Sequence, residues 1–154
     1  MTLFYDAIAY ISGSSIAPRL RGTVKFKSQD GGTWVYADIS GLPPFSPAAD
    51  GKPQISPFGF HIHDGNQCGD NTGDNPFQSA GGHWNPDGQL HGNHAGDFPV
   101  LIASHGLAKL AFFTDRFTPE DIIGHTVIIH QSPDDYRTQP SGDSGLRIGC
   151  GVIM

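Results

Sequence analysis

The stretch TWVYADISGL, residues 33–42, has the alternation that is typical of a β-strand. Val35, Ala37 and Ile39 are spaced two residues apart, so in an extended chain their side chains share one face. Trp34, Tyr36 and Asp38, which alternate with them, occupy the other face. This period of two predicts a strand with one buried face and one face partly in water.

Similar segments of β-branched and aromatic residues recur along the chain between turn residues. We predict about eight strands, at residues 2–12, 23–28, 33–42, 59–64, 98–104, 107–114, 122–130 and 146–153. No window sustains a helical period, so the fold class is all-β, an antiparallel sandwich or flattened barrel. Two long polar segments, 65–97 and 131–145, interrupt the strands. Loops of this length in a compact domain usually carry function.

Composition limits the number of domains and the class of partner. The chain has 154 residues, of which 21 are Gly and 12 are Pro, and this fits one turn-rich domain over residues 1–154. Nine Lys and Arg against 15 Asp and Glu give a net charge of −6, with no basic run. We therefore expect no nucleic-acid partner and no membrane partner. No stretch approaches the ~18 consecutive apolar residues of a membrane span.

The cysteines and methionines exclude several kinds of metal and redox site. Cys68 and Cys150 are too far apart for a CxxC motif, which excludes a thioredoxin-type centre and a four-thiolate zinc site. The two cysteines could form one disulfide or remain two free thiols, and the sequence leaves both alternatives open. The two methionines, Met1 and Met154, lie at the chain ends, so soft-donor metal chemistry is also disfavoured. The eight histidines are the remaining candidates for metal ligands.

Two histidines lie in the segment GFHIHD, residues 59–64. His61 and His63 are two residues apart on a predicted strand, so their imidazoles project from the same face. A pair of surface histidines on a wet strand face is the plainer interpretation of an isolated HxH. The motif alone is therefore weak evidence for a metal.

The first polar loop supplies further nitrogen and carboxylate donors. His83 is followed by His91, His94 and Asp97, and the last three have the spacing H-x2-H-x2-D. Three nitrogens and one carboxylate oxygen would complete a tetrahedral zinc site of the structural kind. The alternative is a flexible loop whose polar residues are solvated, but so dense a cluster makes this the weaker interpretation.

His130 ends a predicted strand and brings the candidate donors to seven. Two four-coordinate sites need eight donors, so either one ligand is shared or a water fills one position. A four-nitrogen site without Cys or Met suits copper(II) and differs from the site of a blue-copper electron carrier. The donor set therefore favours catalysis over electron transfer.

Five ordered segments together resemble the signature segments of one enzyme family. They are GFHIHD at 59–64, SAGGHWNP at 79–86, HGNHAGD at 91–97, GHTVIIH at 124–130 and GLRIGCGVI at 145–153. In these segments the chain resembles the copper,zinc superoxide dismutases over roughly its whole length. The resemblance implies a Greek-key β-sandwich. It also implies an enzyme that converts superoxide to dioxygen and hydrogen peroxide by Cu(II)/Cu(I) cycling, with a structural zinc.

The resemblance also implies a role for each candidate residue. The implied copper ligands are His61, His63, His83 and His130. The implied zinc ligands are His83, His91, His94 and Asp97, so that His83 bridges the two metals, and we expect it also to supply a proton. Arg147 matches the family's active-site arginine, and Asp134 matches a carboxylate that links copper and zinc ligands through hydrogen bonds. Outside these motifs, Arg147 would be taken for a surface charge and Asp134 for a turn residue.

The bacterial branch of the family implies a disulfide between Cys68 and Cys150. The chain departs from the family pattern in two loops. Only Gly92 and Asn93 separate His91 from His94, and the loop 131–145 is short and lacks the lysines that steer superoxide in animal enzymes. His105 and His125 match no ligand position, and we expect both to be surface or packing residues.

Two rival functions and two further properties remain open at the level of sequence. A copper buffer or delivery module without turnover is one rival, and a zinc-stabilised structural domain is the other. The sequence does not fix the oligomeric state, and a homodimer is among the states it allows. Residues 1–16 contain Asp6 and lack a positive flank, which favours the cytoplasm. An extracytoplasmic location is expected if Met1 replaces a removed signal.

Overall fold

The computed structural model describes residues 4–154 and contains one antiparallel β-sheet. The seven strands in this part of the chain are β1 (Ala7–Gly13), β2 (Arg21–Gln29), β3 (Gly32–Ser40), β4 (Phe60–His63), β5 (Ala108–Thr114), β6 (Thr126–His130) and β7 (Arg147–Val152). The start of the first predicted strand, Thr2 and Leu3, lies outside the described residues. The all-β prediction is confirmed.

The strands are arranged in the spatial order β4-β6-β7-β1-β2-β3-β5. Successive strands β3 and β4 lie far apart in this order, and β4 and β5 form its two edges, so long connections cross the sheet as in a Greek key. The segment 98–104 lies between these edges and forms an isolated bridge from Leu101 to Phe58, which precedes β4. Phe98 packs between Phe60 of β4 and Phe112 of β5, with ring centroids 5.0 Å apart in both cases. The sheet is thereby curled into a flattened barrel.

The hairpin of β2 and β3 sets the register of the core. Asp30 and Gly31 form its two-residue turn with φ of 50° and 78°, which is typical of a type I′ turn with an Asp-Gly pair. The register pairs Val35 with Phe26, and both side chains are fully buried. The predicted alternation is confirmed, because Trp34 faces outward and stacks on Tyr36 at 6.1 Å.

The predicted strand at 98–104 is the one segment that does not form a strand. In the structure it makes only isolated bridges, through Leu101 and Ser104. Phe98 and Leu101 are nevertheless almost completely buried. The apolar residues of this segment close the barrel by packing between its edges, and a sequence pattern does not distinguish this role from strand pairing.

Helical structure is limited to single turns in the described residues. The α-helix α1 (Pro119–Ile122) begins at a capping box in which Thr118 and Asp121 bond each other's backbone N–H groups. A 3-10 turn covers Gln78–Ala80. Both are too short to show a helical period. Over residues 4–154, no helix has the length and apolar character that crossing a bilayer would require.

Strands β4 and β6 are buried on both faces, which positions the candidate site. Phe60 and Ile62 point into the main core, whereas His61 and His63 point to the opposite face. That opposite face is covered by the long loop after β4 rather than by water. The histidines therefore lie between the sheet and this loop.

A disulfide fixes the start of that loop to the sheet. Cys68 is bonded to Cys150 of β7, which confirms the pairing implied by the sequence resemblance. The bridge packs in a small apolar cluster with Phe77, Ala80 and Ile128. The loop is thus covalently attached to the strand that carries Arg147.

Candidate metal centre

The loop after β4 returns twice to the edge of that strand. His83 forms an isolated bridge with His63, and Asp97 forms another with His61. His130 lies at the end of the neighbouring strand β6. Sheet pairing and loop pairing thus bring residues that are distant in sequence to one face of the sheet.

The seven predicted donors form two groups. One group contains His61, His63, His83 and His130, and the other contains His83, His91, His94 and Asp97. Within each group, one ligand atom from every residue lies within 4.8 Å of the others. His83 belongs to both groups, which is the sharing that the donor count predicted.

The hydrogen bonds of the first group fix which ring nitrogens carry protons. His63 Nδ1 lies 2.9 Å from the carbonyl oxygen of Gly81, and His130 Nδ1 lies 3.1 Å from that of Gly145. Because a carbonyl only accepts, both Nδ1 atoms donate, and each neutral ring keeps its lone pair on Nε2. The two Nε2 atoms face each other at 3.3 Å. Two lone pairs at this distance repel each other unless a proton or a cation lies between them.

Asp134 fixes two further rings, one from each group. Its Oδ2 lies 2.6 Å from His61 Nε2 and its Oδ1 lies 2.8 Å from His91 Nε2. A carboxylate accepts both bonds, so the lone pairs of these rings are on Nδ1. Gly142 lies against Asp134 with φ of 70°, and an added Cβ there would overlap Asp134 Oδ1.

Four buried nitrogens in these groups have no hydrogen-bond partner among residues 4–154. They are His61 Nδ1, His83 Nε2, His91 Nδ1 and His94 Nδ1. The last two lie 3.1 Å and 3.3 Å from Asp97 oxygens, but not in hydrogen-bonding geometry. Buried polar atoms are normally paired, because an unpaired one loses its hydration without compensation. A cation in each group would satisfy all four.

Asp97 is the charged member of the second group. Its Oδ1 lies 3.2 Å from His83 Nδ1 and 3.3 Å from His94 Nδ1. Its Oδ2 accepts backbone N–H bonds from Gly92 at 2.9 Å and His94 at 3.0 Å. Burial raises the pKa of Asp97, but the hydrogen bond from His83 and the neighbouring histidines outweigh burial, and the net pKa is lowered. The side chain is therefore an ionised carboxylate.

Burial keeps four of the donor histidines neutral. It lowers the pKa of His61 and His63 well below the usual value and lowers that of His130 to about 3. It also lowers the pKa of His94. Metal ligands must be deprotonated, so these imidazoles are in the form that can bind a cation.

Arg147 lies beside the first group at the start of β7. Its Nη1 donates to the carbonyl oxygen of Phe77 at 2.7 Å, and its Nη2 donates to that of Gly81 at 2.6 Å. The Gly81 carbonyl also accepts from His63, so one oxygen links the arginine to the group. The positive charge of Arg147 contributes to the lowered pKa values of His63 and His130.

Comparison with known proteins assigns the chain to a family. The sequence model of the family described as Copper/zinc superoxide dismutase (SODC) matches residues 20–153. The chain belongs to the copper/zinc superoxide dismutase family. The Cu-Zn superoxide dismutase of Deinococcus radiodurans is 34% identical over 154 aligned residues, covering 88% of this chain and 78% of that protein.

One further relative and one solved structure resemble this chain over almost its whole length. Cu-Zn superoxide dismutase A of Xenopus laevis is 33% identical, covering 96% of this chain and 95% of that protein. The crystal structure of an SOD-like protein from Bacillus subtilis superposes with a TM-score of 0.77 at 28% identity. The superposition covers 98% of this chain and 100% of the Bacillus subtilis chain. The fold of this chain is therefore that of its relatives.

The donor groups fit the two metals of the family. A set of four imidazoles suits copper(II), and a set of three imidazoles and one carboxylate suits zinc. The four buried nitrogens without partners belong to these sets. In this chain the metals would therefore complete contacts that the protein alone leaves unmade.

The two remaining histidines lie outside both groups, as the sequence predicted. His125 Nδ1 donates to the carbonyl oxygen of Asp64 at 2.9 Å, and its ring packs on Trp84 at 5.4 Å. Trp84 directly follows His83, is 8% exposed and also packs on Phe117. His105 is exposed in a turn with φ of 51°.

The sequence did not indicate three residues that support the donors. Gly142 leaves room for Asp134, while Gln139 and Arg116 bond the backbone of the second group. A loop glutamine and a loop arginine carry no motif, because their role depends on contacts between loops that are distant in sequence.

Proposed function

We propose that this chain is a superoxide dismutase whose copper is held by His61, His63, His83 and His130, and whose zinc is held by His83, His91, His94 and Asp97. The observation that carries the proposal is that two groups of suitable donors share His83 and direct their unprotonated nitrogens inward. Bound copper supplies one-electron exchange between Cu(II) and Cu(I). The net reaction consumes two superoxide anions and two protons and gives one dioxygen and one hydrogen peroxide.

Arg147 binds the anionic substrate in this proposal. Its guanidinium is fixed by two backbone carbonyls, so its charge lies beside the copper donors without side-chain reorganisation. Two of its five N–H donors point to these carbonyls, which leaves others free for an oxygen of superoxide. The residue thus orients the anion and offsets part of the repulsion from a chain of net charge −6.

His83 holds and releases one of the two protons. Its Nδ1 lies on the side of Asp97, which leaves the buried Nε2 for the copper group. Nε2 takes up a proton in one half of the cycle and donates it to the reduced oxygen in the other half. Zinc on Nδ1 would keep the ring in place and adjust its basicity.

Asp134 orients one ligand from each group at the same time. It receives hydrogen bonds from His61 and His91, so neither ring can turn without breaking a buried charge-assisted bond. The two metal sites are therefore geometrically connected both through His83 and through Asp134. This connection supports a structural role for zinc in holding the copper donors.

The decay rate of superoxide tests the proposed activity. Protein loaded with copper and zinc is compared with the same protein loaded with zinc alone, and we expect a fast rate that depends on copper. Stoichiometric copper binding with a rate near background would refute the enzyme. It would favour a copper-handling module instead.

The variant His83→Gln tests the bridging role. We expect it to bind both metals more weakly and to lose most of its copper-dependent turnover, because the shared imidazole and its proton are gone. The measurement is turnover per bound copper, with metal content determined on the same sample. Full turnover with both metals bound would show that bridging is not required.

A further inference from the structure

The connection from His91 to His94 in the second donor group is held by side chains outside the group. Only Gly92 and Asn93 separate His91 from His94. Their backbone turns with φ of 92° at Gly92, and an added Cβ there would overlap the carbonyl oxygen of Tyr136. A turn this tight needs partners for its backbone groups, and two of them come from other segments of the chain.

Gln139 binds the backbone of His91. Its Oε1 accepts the His91 backbone N–H at 2.8 Å, and its Nε2 donates to the His91 carbonyl oxygen at 3.2 Å. One amide side chain thus satisfies both backbone groups of one ligand residue. The same Nε2 also donates to the carbonyl oxygen of Arg137 at 3.0 Å, which fixes the amide within its own loop.

Arg116 binds the other end of the turn. It follows β5 and donates from Nη1 to the His94 carbonyl oxygen at 2.9 Å and from Nη2 to Asn93 Oδ1 at 3.1 Å. A planar guanidinium holds two acceptors in a fixed relation, which a flexible ammonium does not. Arg116 thereby connects the end of β5 to His94, the second ligand residue of the turn.

We propose that Gln139 and Arg116 are positioning residues that hold the turn from His91 to His94 in its zinc-binding shape before the metal arrives. The inference rests on the proposed zinc role of these histidines. Fixing the ligand backbones in advance lowers the conformational entropy that metal binding must remove. Residues that support metal ligands typically change metal affinity by about 10- to 100-fold when they are mutated.

The charge of Arg116 makes the proposal distinguishable from a simple electrostatic effect. A cation close to a zinc site opposes zinc binding, so its removal should strengthen binding if charge alone matters. Our proposal predicts the opposite direction, because the turn loses its support. The sign of the change therefore separates the two explanations.

Zinc affinity is the decisive measurement, made by competition with a chromophoric chelator on protein that holds no copper. We expect Gln139→Met and Arg116→Met each to bind zinc about tenfold more weakly than the wild type. The matched controls Gln29→Met in β2 and Arg19→Met between β1 and β2 should bind like the wild type. The melting temperatures of the metal-free variants should stay close to the wild-type value, because both side chains lie at the surface.

Affinities within twofold of the wild type, or tighter zinc binding by Arg116→Met, would overturn the proposal. If Arg116→Met does not fold, Arg116→Lys replaces it, since the lysine keeps the charge but loses the two-acceptor geometry. Weaker zinc binding by Arg116→Lys supports the proposal, and wild-type binding refutes it. The assay uses neither copper nor superoxide, so a chain without dismutase turnover would still give a clear result for the two positioning residues.

Discussion

At the scale of single residues, the metal centre depends on which nitrogen of each histidine carries a proton. The carbonyls of Gly81 and Gly145 and the carboxylate of Asp134 take the protonated nitrogens, and the unprotonated ones point inward. The sequence predicted the identity of the seven donors, because their spacing follows motifs. It could not predict these proton positions, since the acceptors are backbone atoms and loop residues far away in sequence.

The arginine beside the copper donors gives the first prediction. In Arg147→Ala we expect unchanged copper content and turnover at least about tenfold lower, because the local field that attracts the anion is lost. The measurement is superoxide decay per bound copper over a range of ionic strength. Arg19→Ala removes an equal charge from an exposed position and should keep wild-type turnover. Equal turnover in both variants would exclude a role for Arg147 in guiding the substrate.

A glycine next to Asp134 gives the second prediction. Gly142→Ala introduces a Cβ that overlaps Asp134 Oδ1, whereas Gly51→Ala, at a similar φ of 75°, has no heavy atom within 4 Å of the new Cβ. Both variants acquire about 1–2 kcal/mol of left-handed strain. Only Gly142→Ala should also release copper and zinc faster to a chelator, because the new Cβ overlaps both Asp134 Oδ1 and His91 Nε2 and must disturb the hydrogen bond between them. Equal release rates from the two variants would contradict the role of Asp134 in orienting His61 and His91.

At the scale of elements, all seven strands were predictable from runs of β-branched and aromatic residues, both where one face is buried, as in β3, and where both are, as in β4 and β6. The alternation of β3 and the Asp30-Gly31 turn identify the central hairpin from sequence alone. The segment 98–104 has the composition of a strand but packs between the barrel edges, so its pattern reflects burial and not pairing. The HxH motif of β4 was weak on its own because it also fits a strand with one face in water, and only the structure shows that both faces of β4 are buried.

The covalent link between the first loop and β7 gives the third prediction. The double variant Cys68→Ala, Cys150→Ala removes a crosslink between residues 82 positions apart. The chain-entropy relation gives a loss of up to about 4.5 kcal/mol for a loop of this size. Urea unfolding of the metal-free protein, oxidised wild type against the double variant, measures the difference. A loss below about 1 kcal/mol would mean that the loop is ordered mainly by its noncovalent contacts.

At the scale of the whole molecule, the net charge of the protein has the same sign as the charge of the substrate. The chain carries −6 and superoxide is an anion, so long-range attraction must come from a local region and not from the net charge. The sequence resemblance predicted the family, the fold and the residues of both groups, because the motifs extend over most of the chain. Composition alone could not locate the positive region, which depends on where the loops hold Arg147.

The buried imidazoles give the fourth prediction, a loss of stability in acid. Burial lowers the pKa of His61, His63 and His130 in the folded chain, the last to about 3, while histidines of the unfolded chain titrate near 6.5. Between these values the unfolded chain binds more protons, so lowering the pH favours unfolding. The melting temperature of metal-free protein should be constant above pH 7 and fall steadily from about pH 6.5 downward. A melting temperature that stays constant from pH 7.5 to 4.5 would contradict this.

The burial of Trp84 beside His83 also gives the molecule an optical reporter of its own loading. Paramagnetic copper(II) close to an indole quenches the fluorescence of that indole. Trp34, the other of the two tryptophans, lies on the outer face of β3 and supplies a reference signal in the same spectrum. Copper uptake in this protein can therefore be followed by intrinsic fluorescence, with no dye and no change to the chain.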